Sequence, residues 1–222
     1  MIKLCDARVG LANIPASSID LIVSDIPYPT ISGGNKNPDA PRGVLSANDG
    51  KIFKHNSIHI SDYASLMFDV LKDPAHCYIF TNLKNLFDVQ QHMTKAGFKL
   101  HNILIWKKNT ANPNRWYMQD KEYIMFYRKG KAFPVNDKGI KSVIEIDNIV
   151  GGRLHPTEKP VDLLRVLISQ SSQVGDVVLD PFMGSGSTGV AAQTLARQFI
   201  GLEIDLRYTT IAAQRLGGQL CQ

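Results

Sequence analysis

Short apolar runs alternate along this chain with stretches in which apolar residues recur at helical spacing. Runs rich in β-branched and aromatic residues predict strands at 21–23, 77–81, 102–106, 123–127, 177–179 and 199–203. Helical spacing predicts helices at 61–71, 83–96, 190–196 and 208–216, and a further helix that begins at Pro160. This alternation indicates an α/β protein with a doubly wound, mostly parallel sheet. A polar segment joins the runs at 102–106 and 123–127, which we expect to form an antiparallel pair.

Length and composition fit one folded unit that spans residues 1–222. Of the 222 residues, 44% are hydrophobic, which is enough to bury the core of one domain. Gly, Pro, Asn and Asp are frequent after the first apolar run, and we interpret residues 29–60 as a mobile loop beside a site at the end of that run. Residues 129–153 lack a helical period, and we interpret them as a small variable appendage.

Charge and cysteine content narrow the class of protein only slightly. The net charge of +5 favours a polyanionic partner, although many proteins that bind none share this balance. The three cysteines are widely scattered, which suits a reducing compartment and does not give the spacing of a metal site. No long uncharged apolar run predicts a membrane helix, and Asp6 comes too early for a signal peptide. We therefore expect a soluble cytoplasmic protein.

A glycine-rich segment near the end of the chain has the spacing of a nucleotide fingerprint. Gly184-Ser185-Gly186-Ser187-Thr188-Gly189 stands between a predicted strand and a predicted helix, and Glu203 ends the next strand. Glycines let the backbone pass close to a nucleoside, and an acid at that position can accept hydrogen bonds from both ribose hydroxyls. A glycine-rich turn without a ligand is the alternative. Too little chain remains for a second mononucleotide half, so one nucleoside, as in S-adenosylmethionine, fits better than NAD.

A second candidate site follows the first apolar run, at Asp25-Ile26-Pro27-Tyr28. An exocyclic amine is a poor nucleophile because its lone pair is delocalised into the ring. The Asp25 carboxylate and the Ile26 carbonyl can accept both amino hydrogens and free that lone pair, while Tyr28 stacks on an extruded base and Pro27 fixes the turn. The alternative is a strand-ending turn with Tyr28 in the core.

Together these residues resemble the DNA amino-methyltransferases, whose signature is Asp/Asn/Ser-Pro-Pro-Tyr. The resemblance extends along most of the chain, and Ile26 departs from the usual first proline. It also covers three later segments: His155-Pro156-Thr157-Glu158-Lys159-Pro160, Asp180-Pro181-Phe182-Met183-Gly184-Ser185-Gly186-Ser187-Thr188, and Phe199-Ile200-Gly201-Leu202-Glu203-Ile204-Asp205. The order, with the catalytic motif first, resembles the permuted β group, in which the chain opens at the third strand of the standard fold and finishes on the second.

The resemblance implies a Rossmann-like, circularly permuted fold and S-adenosylmethionine as the cofactor. It implies that Thr157 and Lys159 contact the methionine carboxylate, that Asp180 contacts the amino group, and that Phe182 forms a wall of the cofactor pocket. An acid at position 25 resembles the adenine-N6 enzymes more than the cytosine-N4 enzymes. Transfer of a methyl group to a flipped adenine is therefore the leading hypothesis. Cytosine-N4 methylation and an inactive DNA-binding module with the same fold are the alternatives.

Double-stranded DNA is the partner that the resemblance implies, and it leaves open a homodimer and a restriction endonuclease as further partners. Residues 29–60 would then face DNA, and residues 129–153 would form a target-recognition appendage. The basic residues that we expect to contact phosphates are Lys36, Arg42, Lys51, Lys54, Lys107, Lys108 and Arg115. Solvated surface is the alternative for each of them. His55 and His59 lack a nearby third ligand in the sequence, so we expect no metal.

Overall fold

The computed structural model describes residues 1–27, 30–32, 45–47, 58–112, 117–155, 157–218 and 220–221. Within these residues the strands are β1 (Ile2–Leu4), β2 (Ile19–Asp25), β3 (Thr30–Ser32), β4 (Leu45–Ala47), β5 (Leu71–Thr81), β6 (Lys99–Asn112), β7 (Gln119–Lys129), β8 (Val143–Glu145), β9 (Val177–Asp180), β10 (Gln198–Glu203) and β11 (Leu220–Cys221). The helices are α1 (Ala7–Ala12), α2 (Ala64–Val70), α3 (Leu86–Lys95), α4 (Val161–Ser171), α5 (Ser187–Thr194) and α6 (Leu206–Leu216), with a 3-10 turn at Ile60–Asp62. None of the described helices is long and apolar enough to span a bilayer.

One large sheet organises the described part of the chain, and helices cover both of its faces. The strand order is β11-β1-β10-β9-β2-β5-β7-β6-β8, and β7 runs antiparallel to both of its neighbours. Residues of α1, α2 and α3 pack on one face, and residues of α4, α5 and α6 pack on the other. The predicted α/β class with a mostly parallel sheet and an antiparallel pair is confirmed.

The permuted strand order is also visible, because the two ends of the chain meet in the sheet. Strand β1 pairs in parallel with β10, although almost the whole chain separates them. The amino group of Met1 donates to the carbonyl of Phe199 at 2.5 Å. Sequence analysis did not predict β1 or α1, because Ile2–Leu4 is too short to give a periodic signal.

Several boundaries differ from the predicted ones for local reasons. Helix α5 begins at Ser187 rather than at residue 190, because Gly186 has a left-handed conformation that opens the helix directly after the loop. Strand β6 is much longer than predicted: it continues through a polar stretch as far as Asn112, which pairs with Gln119 of β7. Hydrophobic pattern alone does not mark such an extension.

The segments predicted as a loop and an appendage contain regular structure. Backbone pairing joins β3 and β4 as a short antiparallel ladder within residues 29–60. In the segment 129–153, β8 pairs in parallel with β6, and the ring of Phe133 stacks on His76 with centroids 3.9 Å apart. The roles of these segments toward DNA stay predictions.

The buried strand β9 generates a stability prediction. Leu179 is fully buried between Ile22 of β2 and Ile200 of β10, so Leu179→Ala leaves a cavity at the centre of the sheet. We expect a loss of about 2–5 kcal/mol in the free energy of unfolding, measured by urea denaturation. Leu83→Ala is the matched control, because Leu83 is 59% exposed. Equal losses in the two variants would contradict this account of the core.

Candidate active site

Three parallel strands end in carboxylates at the same edge of the sheet. Strand β2 ends at Asp25, β9 at Asp180 and β10 at Glu203, and β9 lies between the other two. All three residues line one cleft of about 730 Å³, together with Gly184 of the glycine-rich loop. The carboxyl ends of parallel strands are where α/β sheets bind ligands. The two candidate sites found in the sequence therefore open into the same cleft.

The Asp180 carboxylate joins the two sites. It accepts hydrogen bonds from the Ser24 hydroxyl (2.7 Å), the Thr188 hydroxyl (2.7 Å) and the backbone amide of Phe182 (3.1 Å). Burial raises the pKa of Asp180 to about 6, while these donors act in the opposite direction. Strand β2, the loop after β9 and helix α5 are thus tied to one buried side chain.

Glu203 holds the glycine-rich loop in place. One of its carboxylate oxygens accepts from the amide of Gly184 at 3.0 Å and the other from the amide of Asp205 at 2.9 Å. Burial raises the pKa of Glu203, and the backbone donors oppose that rise. In the same loop, Gly186 has φ +83°, and a Cβ there would lie 2.9 Å from Cβ of Ala212. The loop can approach helix α6 this closely only with glycine at that position.

A buried glutamate ties the segment before α4 to the glycine-rich loop. Glu158 pairs with Arg215 of α6 at 2.9 Å and accepts from the Ser187 hydroxyl at 3.2 Å. Arg215 also donates to the Ser185 carbonyl at 2.9 Å. These contacts explain why Ser185 and Ser187 are buried and directed at protein groups.

An imidazole lies over the same loop. The ring of His155 packs edge-on against Tyr208 and lies over Gly184, where a Cβ would be in ordinary van der Waals contact with the ring at 3.4 Å. Burial, followed by the nearby Lys159 charge, lowers the pKa of His155 to about 4. His155 is therefore neutral at pH 7, and its Nδ1 accepts from the Thr157 amide at 3.3 Å.

Four charged side chains surround the end of β2. The ammonium of Lys159 lies 2.5 Å from Oδ2 of Asp25 and 3.3 Å from Oε2 of Glu122, and Glu122 also pairs with Lys108. Within the described residues, the buried Oδ1 of Asp25 has no hydrogen-bond partner. Burial raises the pKa of Asp25, Lys159 opposes this, and Glu122 adds to it. A buried carboxylate oxygen without a partner, on a residue that lines the cleft, can accept a hydrogen bond from a ligand that reaches it.

The remaining residues of the predicted catalytic turn have different positions. The Ile26 side chain is 2% exposed and belongs to the core cluster on the α1–α3 face of the sheet, and both Ile26 and Pro27 line the cleft. Tyr28 lies outside the described residues. Of the predicted cofactor residues, Thr157, Lys159, Asp180, Phe182, Gly184, Ser185, Ser187, Thr188 and Glu203 all line the cleft. Gly186 lies behind it, against α6.

The predicted phosphate contacts divide into three groups. Lys36, Arg42, Lys51, Lys54 and Arg115 lie outside the described residues. Lys107 is on the surface and pairs with Glu145 at 3.3 Å. Lys108 has a side chain that is only 12% exposed, lies over the Trp106 ring and is paired with Glu122. A contact of Lys108 with phosphate stays a prediction.

His59 has neighbours that its local sequence does not show. Its Nε2 lies 3.0 Å from Asp88, and His92 Nδ1 lies 3.2 Å from the same carboxylate. His55 lies outside the described residues. His59 is hydrogen-bonded to the Asp88 carboxylate and His92 to the Asp88 main-chain carbonyl, so the structure supplies neighbours of metal-ligand type that the sequence did not indicate, and the absence of a metal stays a prediction.

Sequence reasoning missed several residues that build the cleft, namely Ser24, Glu122, Glu158, Tyr208 and Arg215. Ser24 and Glu158 lie inside segments that were already identified, so their neighbourhood was a usable signal. Glu122 and Arg215 are polar residues in a strand and a helix with no motif around them. Only the pairing of β6 with β7 and the packing of α6 bring them to the site.

The cleft fits a single nucleoside cofactor. Its volume is within the usual range for a small-molecule site, and it is lined by the glycine-rich loop, the strand-end carboxylate Glu203 and the aromatic ring of Phe182. Each carboxylate oxygen of Glu203 accepts one hydrogen bond from a backbone amide, and each can accept a second one from a ligand hydroxyl.

Comparison with known proteins identifies the family to which this chain is similar. The DNA methylase family model N6_N4_Mtase matches residues 19–214. The chain is 32% identical to the Type II methyltransferase M2.DpnII of Streptococcus pneumoniae, over 93% of this chain and 85% of that protein. It is 30% identical to M2.MboI of Moraxella bovis, over 92% of this chain and 83% of that protein.

Among solved structures, the chain is similar to M1.HpyAVI in complex with S-adenosylmethionine. The TM-score is 0.73 at 25% sequence identity, and the match covers 97% of this chain and 99% of that one. Fold, sequence and cleft thus agree over nearly the whole chain.

Gly186 generates a prediction about cofactor binding. In Gly186→Ala, the new Cβ meets both an unfavourable φ and Ala212, so the loop must shift. We expect the Kd for S-adenosylmethionine, measured by calorimetry, to rise by about tenfold or more. Gly175→Ala is the matched control, because Gly175 has φ +87° with nothing within 4 Å of a Cβ. If both variants bind the cofactor equally well, the close approach of the loop to α6 is not what shapes the site.

Proposed function

This chain belongs to the N6_N4_Mtase family of DNA methylases, and we propose that it transfers a methyl group from S-adenosylmethionine to the N6 amine of a flipped adenine. One observation carries the proposal. Asp25 lines the same cleft as the glycine-rich loop, and among the described residues one buried oxygen of its carboxylate has no hydrogen-bond partner. A hydrogen-bond acceptor for an amine and a binding loop for a nucleoside are thus side by side.

Asp25 and the backbone carbonyl of Ile26 are the acceptors for the two amino hydrogens. Accepting both draws the nitrogen toward tetrahedral geometry and localises its lone pair for attack. The amine loses one proton when the carbon–nitrogen bond forms, and Asp25 is placed to receive it because burial raises the pKa of its carboxyl. Tyr28 stacks on the extruded base, and Pro27 sets the turn.

Several residues of the chain would hold the cofactor, which supplies an electrophilic methyl group on a sulfonium. Glu203 accepts from the ribose hydroxyls, and Phe182 packs against the nucleoside. Asp180 provides negative charge near the amino group, and Thr157 contacts the carboxylate. Lys159, also predicted to contact that carboxylate, lies on Asp25 in this structure. The backbone of the glycine-rich loop passes beneath the bound molecule without side chains in the way.

Adenine is favoured over cytosine by the acid at position 25, as it is in the family resemblance. Cytosine-N4 methylation is the second candidate. The third candidate is an inactive binding module. It fits less well, because two enclosed charge pairs and a carboxylate oxygen without a hydrogen-bond partner lower the stability of the fold, and a protein without a reaction has no need of them.

The cellular setting follows from the relatives. M2.DpnII and M2.MboI are named Type II methyltransferases of bacteria, which supports a role in restriction–modification in the bacterial cytoplasm, with double-stranded DNA as substrate and a restriction endonuclease as the functional partner. Lys107 and the basic residues predicted within 29–60 supply the positive charge that DNA phosphates require. A homodimer stays a prediction.

Product analysis tests the proposed reaction. The purified protein is incubated with radiolabelled S-adenosylmethionine and unmethylated plasmid DNA, and the DNA is digested to nucleosides and separated. We expect the label in N6-methyldeoxyadenosine. Label in N4-methyldeoxycytidine would favour the second candidate, and no transfer would favour the inactive module.

Asp25 generates the corresponding mutational prediction. Asp25→Ala removes the acceptor of the amine, so we expect methyl transfer to fall by at least about a hundredfold while cofactor affinity stays near that of the wild type. Asp162→Asn removes a carboxylate that is 76% exposed and serves as the control. Methylation rates and calorimetric binding of S-adenosylmethionine are compared for the three proteins. An Asp25→Ala variant that methylates at the wild-type rate would remove Asp25 from the reaction.

A further inference from the structure

Two carboxylates share one ammonium at the end of β2. Lys159 Nζ is 2.5 Å from Asp25 and 3.3 Å from Glu122, and its side chain is 7% exposed. Glu122 lies near the start of β7, which runs antiparallel to β5, so the antiparallel strand brings an acidic residue to the edge where the parallel strands end. The function proposed above gives Glu122 no role.

The position of Lys159 conflicts with the chemistry required of Asp25. A carboxylate that accepts a charge-assisted hydrogen bond from an ammonium at 2.5 Å is a weakened acceptor for a neutral amine. Lys159 contacts Oδ2 and leaves Oδ1 without a partner, but its charge weakens the whole carboxylate, so loosening this contact makes Asp25 a stronger acceptor for the amine. A buried ammonium that leaves one carboxylate needs another, since an unpaired charge in an enclosed site is strongly unfavourable.

We propose that Glu122 is the second acceptor that takes the Lys159 ammonium when the target amine binds Asp25. Glu122 is thus a positioning residue, which acts on the reaction through Lys159, and the inference rests on the proposed amine methylation. Lys159 needs to move only from one carboxylate to the other, because it already lies within 4.0 Å of both.

Lys108 makes this exchange feasible by fixing the acceptor. Its ammonium pairs with the other oxygen of Glu122 and lies 4.6 Å from the centroid of the Trp106 ring, so the Glu122 carboxylate is anchored from the side away from Lys159. The four charges of Asp25, Glu122, Lys108 and Lys159 sum to zero. Moving Lys159 from Asp25 to Glu122 leaves the net charge of the enclosed site unchanged. Glu122 then accepts from both ammonium groups, and Asp25 accepts from the bound amine.

Removing the Glu122 charge has a defined consequence for pH dependence. The charged groups that face Asp25 are Lys159 from the segment before α4, Glu122 from β7, Lys108 from β6 and Asp180 from β9. Glu122 raises the pKa of Asp25, so its loss lowers that pKa. The reaction needs Asp25 ionised, and its acid limb therefore moves to lower pH. The maximal rate falls at the same time, because Lys159 loses its second carboxylate, and the neutral Thr157 carbonyl at 3.3 Å does not replace that charge.

The test compares wild type, Glu122→Gln and Asp162→Asn. Asp162 pairs with Arg165 on the surface of α4 and is 76% exposed, so its substitution removes the same charge outside the cleft and outside the predicted DNA contacts. We expect Glu122→Gln to lower kcat for adenine methylation by about tenfold or more, to move the acid limb of the kcat–pH profile to lower pH, and to leave the Kd for S-adenosylmethionine within about twofold of wild type. We expect Asp162→Asn to match wild type in all three measurements.

The outcomes separate this inference from the function on which it rests. Absence of adenine methylation by the wild type would overturn the proposed function. An active wild type with unchanged kcat and acid limb in Glu122→Gln would overturn only the role of Glu122. A lower kcat with an unmoved acid limb would also overturn it, since that is the result of a merely structural change. Glu122→Asp keeps the carboxylate, and recovery of the wild-type acid limb with partial kcat supports the proposal.

A measurement on the wild type covers the case in which Glu122→Gln fails to fold. A crystal structure with sinefungin, an analogue of the cofactor that transfers no methyl group, and a DNA duplex that carries a target adenine would show the position of Lys159 directly. We expect Lys159 Nζ within hydrogen-bond distance of Glu122 and beyond that distance from Asp25. Lys159 still bound to Asp25 beside a flipped adenine would overturn the inference.

Discussion

The hydrogen-bonded Asp180 carboxylate is the interaction on which the rest of the cleft depends. A buried acid is tolerated only when donors surround it, and here the donors come from Ser24, Phe182 and Thr188, of which Ser24 lies 156 positions from Asp180 in sequence. Ser24 directly precedes the catalytic acid, and Thr188 is in the first turn of α5. Satisfying one carboxylate therefore fixes the distance between the strand that carries Asp25 and the loop that binds the cofactor.

This arrangement explains why the order of the two sites along the chain does not matter. Strands β2 and β9 are neighbours and parallel, so their carboxyl ends meet whichever comes first in sequence. In the permuted order no chain segment leads from β10 into β1. Parallel pairing of β1 with β10 and the bond from the Met1 amino group to Phe199 hold the sheet together at that position.

The sequence predicted most of this because the decisive features are local. Strand type, the glycine spacing and the acid at the end of the next strand are all encoded within short segments, and their shared position at one sheet edge follows from parallel pairing alone. Glu122 could not be found in this way. Its role depends on the register of β6 against β7, where Trp106 lies opposite Glu122, and a shift by one residue would turn that carboxylate to the other face. The pairing of Lys108 with Glu122 depends on the same register and was not predictable either.

At Ile26 the side chain contributes to the fold, and the backbone carbonyl contributes to the proposed reaction. Its side chain is buried in the cluster that includes Tyr63 and is packed by Phe182, a wall of the cleft. An apolar side chain at this position therefore contributes to the core beneath the site, where the usual proline of the family would contribute ring rigidity. Pro27 still constrains the backbone of Ile26, because the residue before a proline is restricted to extended conformations. The carbonyl that the reaction uses is thus positioned by burial on one side and by proline on the other, and no second proline is required.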